Sequence, residues 1–137
     1  MSTIQRSFRI KEPLLQEIER IRKNKPVNAV ANELLEEALK MRRCPGIIFA
    51  EGVTGRRARI AGTGVEVWEV IYEYQIVSKD IEALKKALPH LPERQLIAAL
   101  NYYSAYSQEI NELIKSNEAI TPESVEGLFT LPKSKNR

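Results

Sequence analysis

The chain is poor in the residues that carry most enzyme and metal chemistry. Its 137 residues include one cysteine, Cys44, and one histidine, His90. A single cysteine excludes an intramolecular disulfide and a cysteine-based metal site. A single histidine, with no nucleophile motif beside it, leaves few groups for acid–base or nucleophilic catalysis. We therefore predict a protein that is not an enzyme and that needs no metal or cofactor.

Long apolar runs are missing as well. No stretch is long and apolar enough for a transmembrane helix, and the charged N-terminus does not resemble a signal peptide or a lipidation motif. A chain with a single cysteine also suits a reducing compartment. The expected location is cytoplasmic, with no membrane partner.

The charge that the chain does have is unevenly spread. Lysine and arginine exceed aspartate and glutamate by 21 to 18, and residues 1–43 hold ten of the former against six of the latter. Residues 44–114 hold seven against nine. This asymmetry favours an anionic partner for the N-terminal segment, and ordinary solvated surface is the alternative.

The N-terminal segment begins with alternating side chains. Ile4, Phe8 and Ile10 are apolar and are separated by polar residues, a period of two that predicts a short strand with one buried face. A lone strand cannot pair its own backbone groups, and no second strand is predicted nearby. The expected partner is the same strand of another copy, which gives a two-fold dimer with a two-stranded ribbon. Such a ribbon fits the major groove of DNA.

Two helices are predicted after this strand. Pro13 suits the first turn of the first helix, whose apolar stripe ends at Ile21, and residues 22–26 form the break. Asn28 is the expected N-cap of the second helix. The apolar stripe of the second helix contains Val30, Leu34, Leu35, Ala38 and Met41.

This order of elements, with FRI, EPLLQEI and PVNA in succession, resembles the ribbon-helix-helix family of DNA-binding dimers, relatives of the Arc and MetJ repressors. The resemblance implies that three outward strand residues read base edges: Gln5, Ser7 and Arg9. It also implies that backbone amides at the start of the second helix hold a phosphate, at Val27, Asn28 and Ala29. The dimer core is expected to include Phe8, Ile10 and Leu34. The alternative is an amphipathic helical hairpin with a polar leader.

The middle of the chain predicts a short β element followed by helices. Residues 44–64 hold five of the six glycines, and Ala58 and Ile60 alternate with arginines, which predicts a half-buried strand. A helix is expected over Val67–Tyr74. A second helix is expected from Ser78, as its N-cap, to Pro89. A long third helix is expected over residues 92–114, in an arrangement compatible with a helix-turn-helix.

The strings RIAGTGVEVWEVI and SKDIEALKKALPHLPERQLIAALNYY resemble the antitoxin family catalogued as domain of unknown function four-three-three. The resemblance covers about residues 45–103. It implies a helix-turn-helix protein that neutralises a PIN-domain ribonuclease encoded beside it. Glu51, Glu66, Glu69 and Glu73 could in principle gather a metal, but the spacing of Glu66, Glu69 and Glu73 more simply predicts a solvated helix face.

The C-terminal residues 115–137 lose helical periodicity and gather proline, serine, lysine and asparagine. This composition predicts a flexible tail, which antitoxins commonly fold along the toxin. A frayed terminus is the alternative. The residues expected to contact a toxin are Val125, Leu128, Phe129, Leu131, Lys133, Lys135 and Arg137.

Together these patterns predict a mainly α protein of three parts. Residues 1–43 form a ribbon-helix-helix domain for dimerisation and DNA binding, 44–114 a helix-turn-helix-like antitoxin domain with a short β element, and 115–137 a partner-binding tail. The expected function is that of an antitoxin of a type II toxin–antitoxin system. It would bind double-stranded operator DNA as a homodimer or higher assembly, repress its own operon and neutralise a PIN-domain toxin protein. The alternative is a ribbon-helix-helix repressor without a toxin.

Overall fold

The computed structural model of the chain describes residues 2–52 and 55–118. Over these residues it is mainly helical, as the sequence predicts, with six helices and a two-stranded antiparallel sheet where five helices and a short β element were expected. Backbone contacts divide the chain into two compact units, unit 1 over Met1–Arg43 and unit 2 from Cys44 onward. No helix in the described part is long and apolar enough to cross a membrane.

Unit 1 contains two helices, α1 at Glu12–Ile21 and α2 at Val27–Arg43. Pro13 lies in the first turn of α1, as predicted, because a proline there gives up no helical hydrogen bond. The turn between the helices places Lys23 at a positive φ of 54°. Asn28 is not the N-cap of α2, since the helix already begins at Val27 and Pro26 O accepts the N–H groups of Ala29 and Val30.

The predicted N-terminal strand is not formed within the single chain. Residues 2–11 have no assigned helix or strand and are exposed. A strand is stabilised by backbone hydrogen bonds to a neighbour, and the described part of unit 1 contains no such neighbour. The ribbon-helix-helix arrangement therefore stays a proposal about an assembly of two copies.

Unit 1 has a small core of its own. Among its described residues, only Ile18 and Val30 are buried apolar side chains. Nine large apolar side chains are exposed, namely Ile4, Phe8, Ile10, Leu14, Leu15, Ile21, Leu34, Leu35 and Leu39. Each buried large side chain contributes only about 1.5–3 kcal/mol, so this unit gains little stability from its interior.

Unit 2 opens with a hairpin of β1, Ile47–Gly52, and β2, Gly55–Ile60. The strands pair in register from Ile47 opposite Ile60 to Gly52 opposite Gly55. Ile47, Ala58 and Ile60 point to one face and are 3% exposed or less, so the predicted half-buried strand is confirmed. The Arg56 guanidinium donates a hydrogen bond of 3.1 Å to the carbonyl oxygen of Phe49, which places a charge on the hairpin and discourages further strand pairing.

Four helices follow the hairpin: α3 at Val67–Ile76, α4 at Ile81–Ala87, α5 at Glu93–Ala105 and α6 at Ser107–Glu118. The expected N-cap Ser78 is wrong. It has a positive φ of 57°, as does Lys79 at 62°, and the true N-cap of α4 is Asp80. The Asp80 carboxylate accepts hydrogen bonds from the backbone N–H groups of Glu82 and Ala83.

The expected long helix over residues 92–114 is in fact two helices. Tyr106 leaves the helical region, with φ −134° and ψ 50°, and α6 then packs against both α3 and α5. This turn brings Ile110 and Ile114 into the core, where they are 0% and 5% exposed. Burial of these two side chains gives the physical reason for the break.

The core of unit 2 joins the hairpin to all four helices. Fourteen buried residues form one cluster, among them Val70, Leu84, Leu96, Ala99 and Tyr102. The Tyr102 hydroxyl donates to the Glu109 carboxylate, whose oxygens lie 2.8 and 2.9 Å away. Burial, together with that carboxylate, raises the pKa of Tyr102 far above its usual value, so the hydroxyl stays a donor that ties α5 to α6.

Candidate functional site

The residues expected to read DNA lie on an exposed N-terminal arm, residues 2–11. Gln5, Ser7 and Arg9 are all exposed, and the segment carries three cations, Arg6, Arg9 and Lys11, with no acidic residue. Across the described residues, none of these three cations has an ion pair. The arm is therefore a concentrated and uncompensated positive charge.

The other charges of unit 1 are largely paired on the helices. Arg20 bonds Glu17, Arg22 bonds Glu19 at 2.8 Å and Lys25 bonds Glu33 at 2.8 Å. These pairs are exposed and stabilise the fold by about 1 kcal/mol or less each. These pairs neutralise much of α1 and the start of α2, so the cations of unit 1 are concentrated in the arm and in the last turn of α2, at Lys40, Arg42 and Arg43.

The expected phosphate site lies at the start of α2. The N–H of Ala29 is already bonded to Pro26 O at 3.1 Å. Val27 and Asn28 precede it, and the first N–H groups of a helix have no partner within the helix. The amides available to an anion are therefore those of Val27 and Asn28 rather than that of Ala29.

The expected dimer core is exposed in the single chain. Phe8 is 74% exposed, Ile10 is 41% exposed and Leu34 is 40% exposed. Unit 1 therefore offers the apolar surface that a dimer would cover. The expected toxin contacts, Val125, Leu128, Phe129, Leu131, Lys133, Lys135 and Arg137, lie outside the described residues.

In unit 2, Glu66 connects the hairpin to α3. Its carboxylate accepts a hydrogen bond of 2.6 Å from Trp68 Nε1 and one of 3.4 Å from the Arg57 guanidinium. It also caps α3 through a capping box with Glu69, which accepts from the Glu66 N–H at 3.2 Å. Glu66 was expected on a solvated helix face, but it precedes the helix and its side chain is 15% exposed. Its role is structural.

A groove of about 500 Å³ runs along α3, and we call it the α3 groove. Its walls come from α3, the segments before α3 and before α5, and the end of α6. Trp68 and Tyr72 supply aromatic surface, and Glu69 and Glu73 supply negative charge. The complete lining is Val65, Trp68, Glu69, Val70, Tyr72, Glu73, Leu88, His90 and Asn117.

The sequence contains a signal for this groove that the predictions above do not include. Trp68 and Tyr72 are four residues apart, as are Glu69 and Glu73, so each pair lies on one side of a helix. An aromatic pair beside an acidic pair is typical of a surface that binds cationic groups. The other walls could not be foreseen, because they come from residues far apart in the sequence.

Comparison with known proteins confirms the resemblance to the domain of unknown function four-three-three, and it says nothing of an antitoxin role or of a ribbon-helix-helix domain. Residues 47–103 match the family described as "Protein of unknown function (DUF433)". A crystal structure of a DUF433 member protein from Anabaena variabilis ATCC 29413 is similar to this chain, with a TM-score of 0.43 and 22% identity. The similarity covers 77% of this chain and 99% of that chain. No curated protein matches the sequence.

The segment that matches DUF433 begins at the first residue of β1 and ends within α5. It includes Glu66, Trp68, Tyr72 and Glu73, and hence most of the α3 groove. It includes neither unit 1 nor α6. Features shared with DUF433 are therefore confined to unit 2, and the basic arm has to be interpreted from its own residues.

Proposed function

We propose that the protein is a dimeric ribbon-helix-helix antitoxin, which binds its operator through unit 1 and neutralises a PIN-domain ribonuclease through unit 2 and the tail. The DNA-binding part of the proposal is supported by the properties of the arm, residues 2–11. It is exposed, it holds three unpaired cations, and its apolar residues alternate with polar ones. Pairing two arms would cover Phe8 and Ile10 and turn Gln5, Ser7 and Arg9 outward.

The chemistry of the arm fits base reading in the major groove. An arginine can donate two hydrogen bonds to guanine, and a glutamine amide can pair with adenine. Val27 and Asn28 at the start of α2 would fix the register through phosphate contacts that carry no sequence information. Two copies related by a two-fold axis would read a palindromic site.

The substitution Arg9→Ala tests this half. We expect specific operator affinity to fall by about 1–3 kcal/mol, because a bidentate base contact is lost. The matched control is Arg6→Ala, which removes the same charge from the opposite side of the arm and should weaken specific and non-specific DNA binding alike. Titration of both variants against operator and scrambled DNA, at several salt concentrations, measures the difference. Equal losses for the two variants would contradict base reading by Arg9.

The antitoxin part of the proposal has two supports. One is the resemblance of the middle segment to the domain of unknown function four-three-three, the family that residues 47–103 match. The other is the composition of the tail. The tail combines apolar residues with a cationic end, Lys133, Lys135 and Arg137. A PIN nuclease holds its metal ions with carboxylates, so cations placed there would compete electrostatically with metal or RNA. Inhibition by the tail is the expected mechanism.

Co-expression with the product of the neighbouring gene tests this second half. We expect a stable complex with a small PIN-like protein and loss of its ribonuclease activity. A variant that ends at Glu118 keeps α6 complete and should lose inhibition if the tail is responsible. Absence of any complex, together with salt-sensitive operator binding, would make the protein a repressor without a toxin.

A further inference from the structure

The α3 groove has a composition that suits a particular kind of occupant. Trp68, Tyr72 and Leu88 give it apolar surface, and Glu69 and Glu73 give it negative charge. Tyr72 remains 37% exposed. Among the described residues, the Glu73 carboxylate has no hydrogen bond or ion pair, whereas Glu69 already bonds the Glu66 N–H. An extended segment with apolar residues followed by cations would complement this surface.

The chain itself contains such a segment, and it starts at the edge of the groove. Asn117, one residue before the end of α6, is part of the groove lining. Nineteen residues, 119–137, follow the described helix. They contain Leu128, Phe129 and Leu131 and then three cations, with no acidic residue after Glu126. Extended, nineteen residues can reach about 60 Å, so the cationic end can lie anywhere along the groove.

We propose that the C-terminal segment 119–137 docks into the α3 groove of its own chain, with its apolar residues on Trp68 and Tyr72 and its cationic end near Glu73. Tethering strengthens such docking, because a segment joined to the rim of its own site has a high effective concentration there. The inference goes beyond the proposed function and does not depend on it. A toxin that binds the tail would first have to displace the tail from the α3 groove.

The single tryptophan makes the proposal measurable in the intact protein. Trp68 is the only tryptophan of the chain and lines the groove, so its fluorescence reports what covers it. We expect acrylamide to quench the full chain weakly. In the tail variant Lys133→Glu/Lys135→Glu, acrylamide should quench Trp68 more strongly and the Trp68 emission should shift to longer wavelength. The reason is that the reversed charges are repelled by Glu73, so the tail no longer covers the tryptophan. High salt should produce part of the same loss in the unaltered chain.

The controls separate charge pairing from other causes. Lys79→Glu/Lys86→Glu reverses two charges at exposed positions that do not line the groove, and it should leave quenching unchanged. The single variant Glu73→Lys should lose the protection of Trp68 from acrylamide. Combining it with Lys133→Glu/Lys135→Glu should restore that protection. Circular dichroism checks that each variant is folded.

Three results would overturn the proposal. One is equal quenching of the unaltered chain and the tail variant. Another is protection that grows with protein concentration, which would assign the groove to the tail of a second copy. A third is protection that develops only when another protein is added, which would make the groove a binding site for that partner.

Discussion

Replacing Leu34 by aspartate is expected to dissociate the proposed dimer and to weaken operator binding strongly. Leu34 is 40% exposed in the single chain and belongs to the apolar surface that a second copy would cover. A carboxylate enclosed there without a partner should cost at least about 3 kcal/mol, which raises the dimer dissociation constant by more than about 100-fold. Operator affinity should fall with it, because one arm alone reads one half-site.

Sedimentation and operator titration over a range of protein concentrations measure both effects. Asn32→Asp is the matched control, because it adds the same charge to the same helix at an exposed position. It should leave the assembly dimeric. If the Leu34→Asp variant remains a dimer with normal operator affinity, α2 does not form the interface and the ribbon-helix-helix assignment is wrong.

Leu96→Ala is expected to produce a large loss of stability in unit 2. Leu96 is 0% exposed and lies in the cluster that joins the hairpin to the helices. Removing a buried leucine leaves a cavity and costs about 2–5 kcal/mol. The neighbouring Ile97 is 39% exposed, so Ile97→Ala should cost much less and serves as the control.

Urea unfolding followed by the fluorescence of Trp68 measures this difference, because the only tryptophan lies in unit 2. The free energy of unfolding should fall for Leu96→Ala and change little for Ile97→Ala. Similar free energies of unfolding for the two variants would mean that the face of α5 that contains Leu96 is not buried in the core.

Local patterns were enough to predict several elements of the fold. The alternation around Ala58 and Ile60 predicted β2, because a two-residue period is typical of a half-buried strand. Pro13 placed the start of α1, and α3 begins at Val67 as expected. In each case the information lies within a few residues of the feature that it determines.

Other features depend on contacts that local patterns do not contain. No glycine or proline near Tyr106 marks the break between α5 and α6 in the sequence. The break follows instead from the packing of α6 on α3. Ser78 and Asp80 are both good capping residues, and the left-handed backbone at Ser78 and Lys79 decides between them. The α3 groove was missed for a related reason, since Leu88 and Asn117 reach it only through the tertiary fold.

The two units differ in how they should respond to dilution. Unit 2 encloses its apolar side chains within one chain, whereas unit 1 leaves most of its own to be covered by the second copy of the proposed dimer. The stability of a fold that depends on association falls as the protein concentration falls. Segments that unfold locally are then open to cleavage by proteases. Cleavage within unit 1 would remove the basic arm and spare the α3 groove. At low concentration the proposed DNA-binding unit would therefore be lost first, and unit 2 would be the longer-lived part of the molecule.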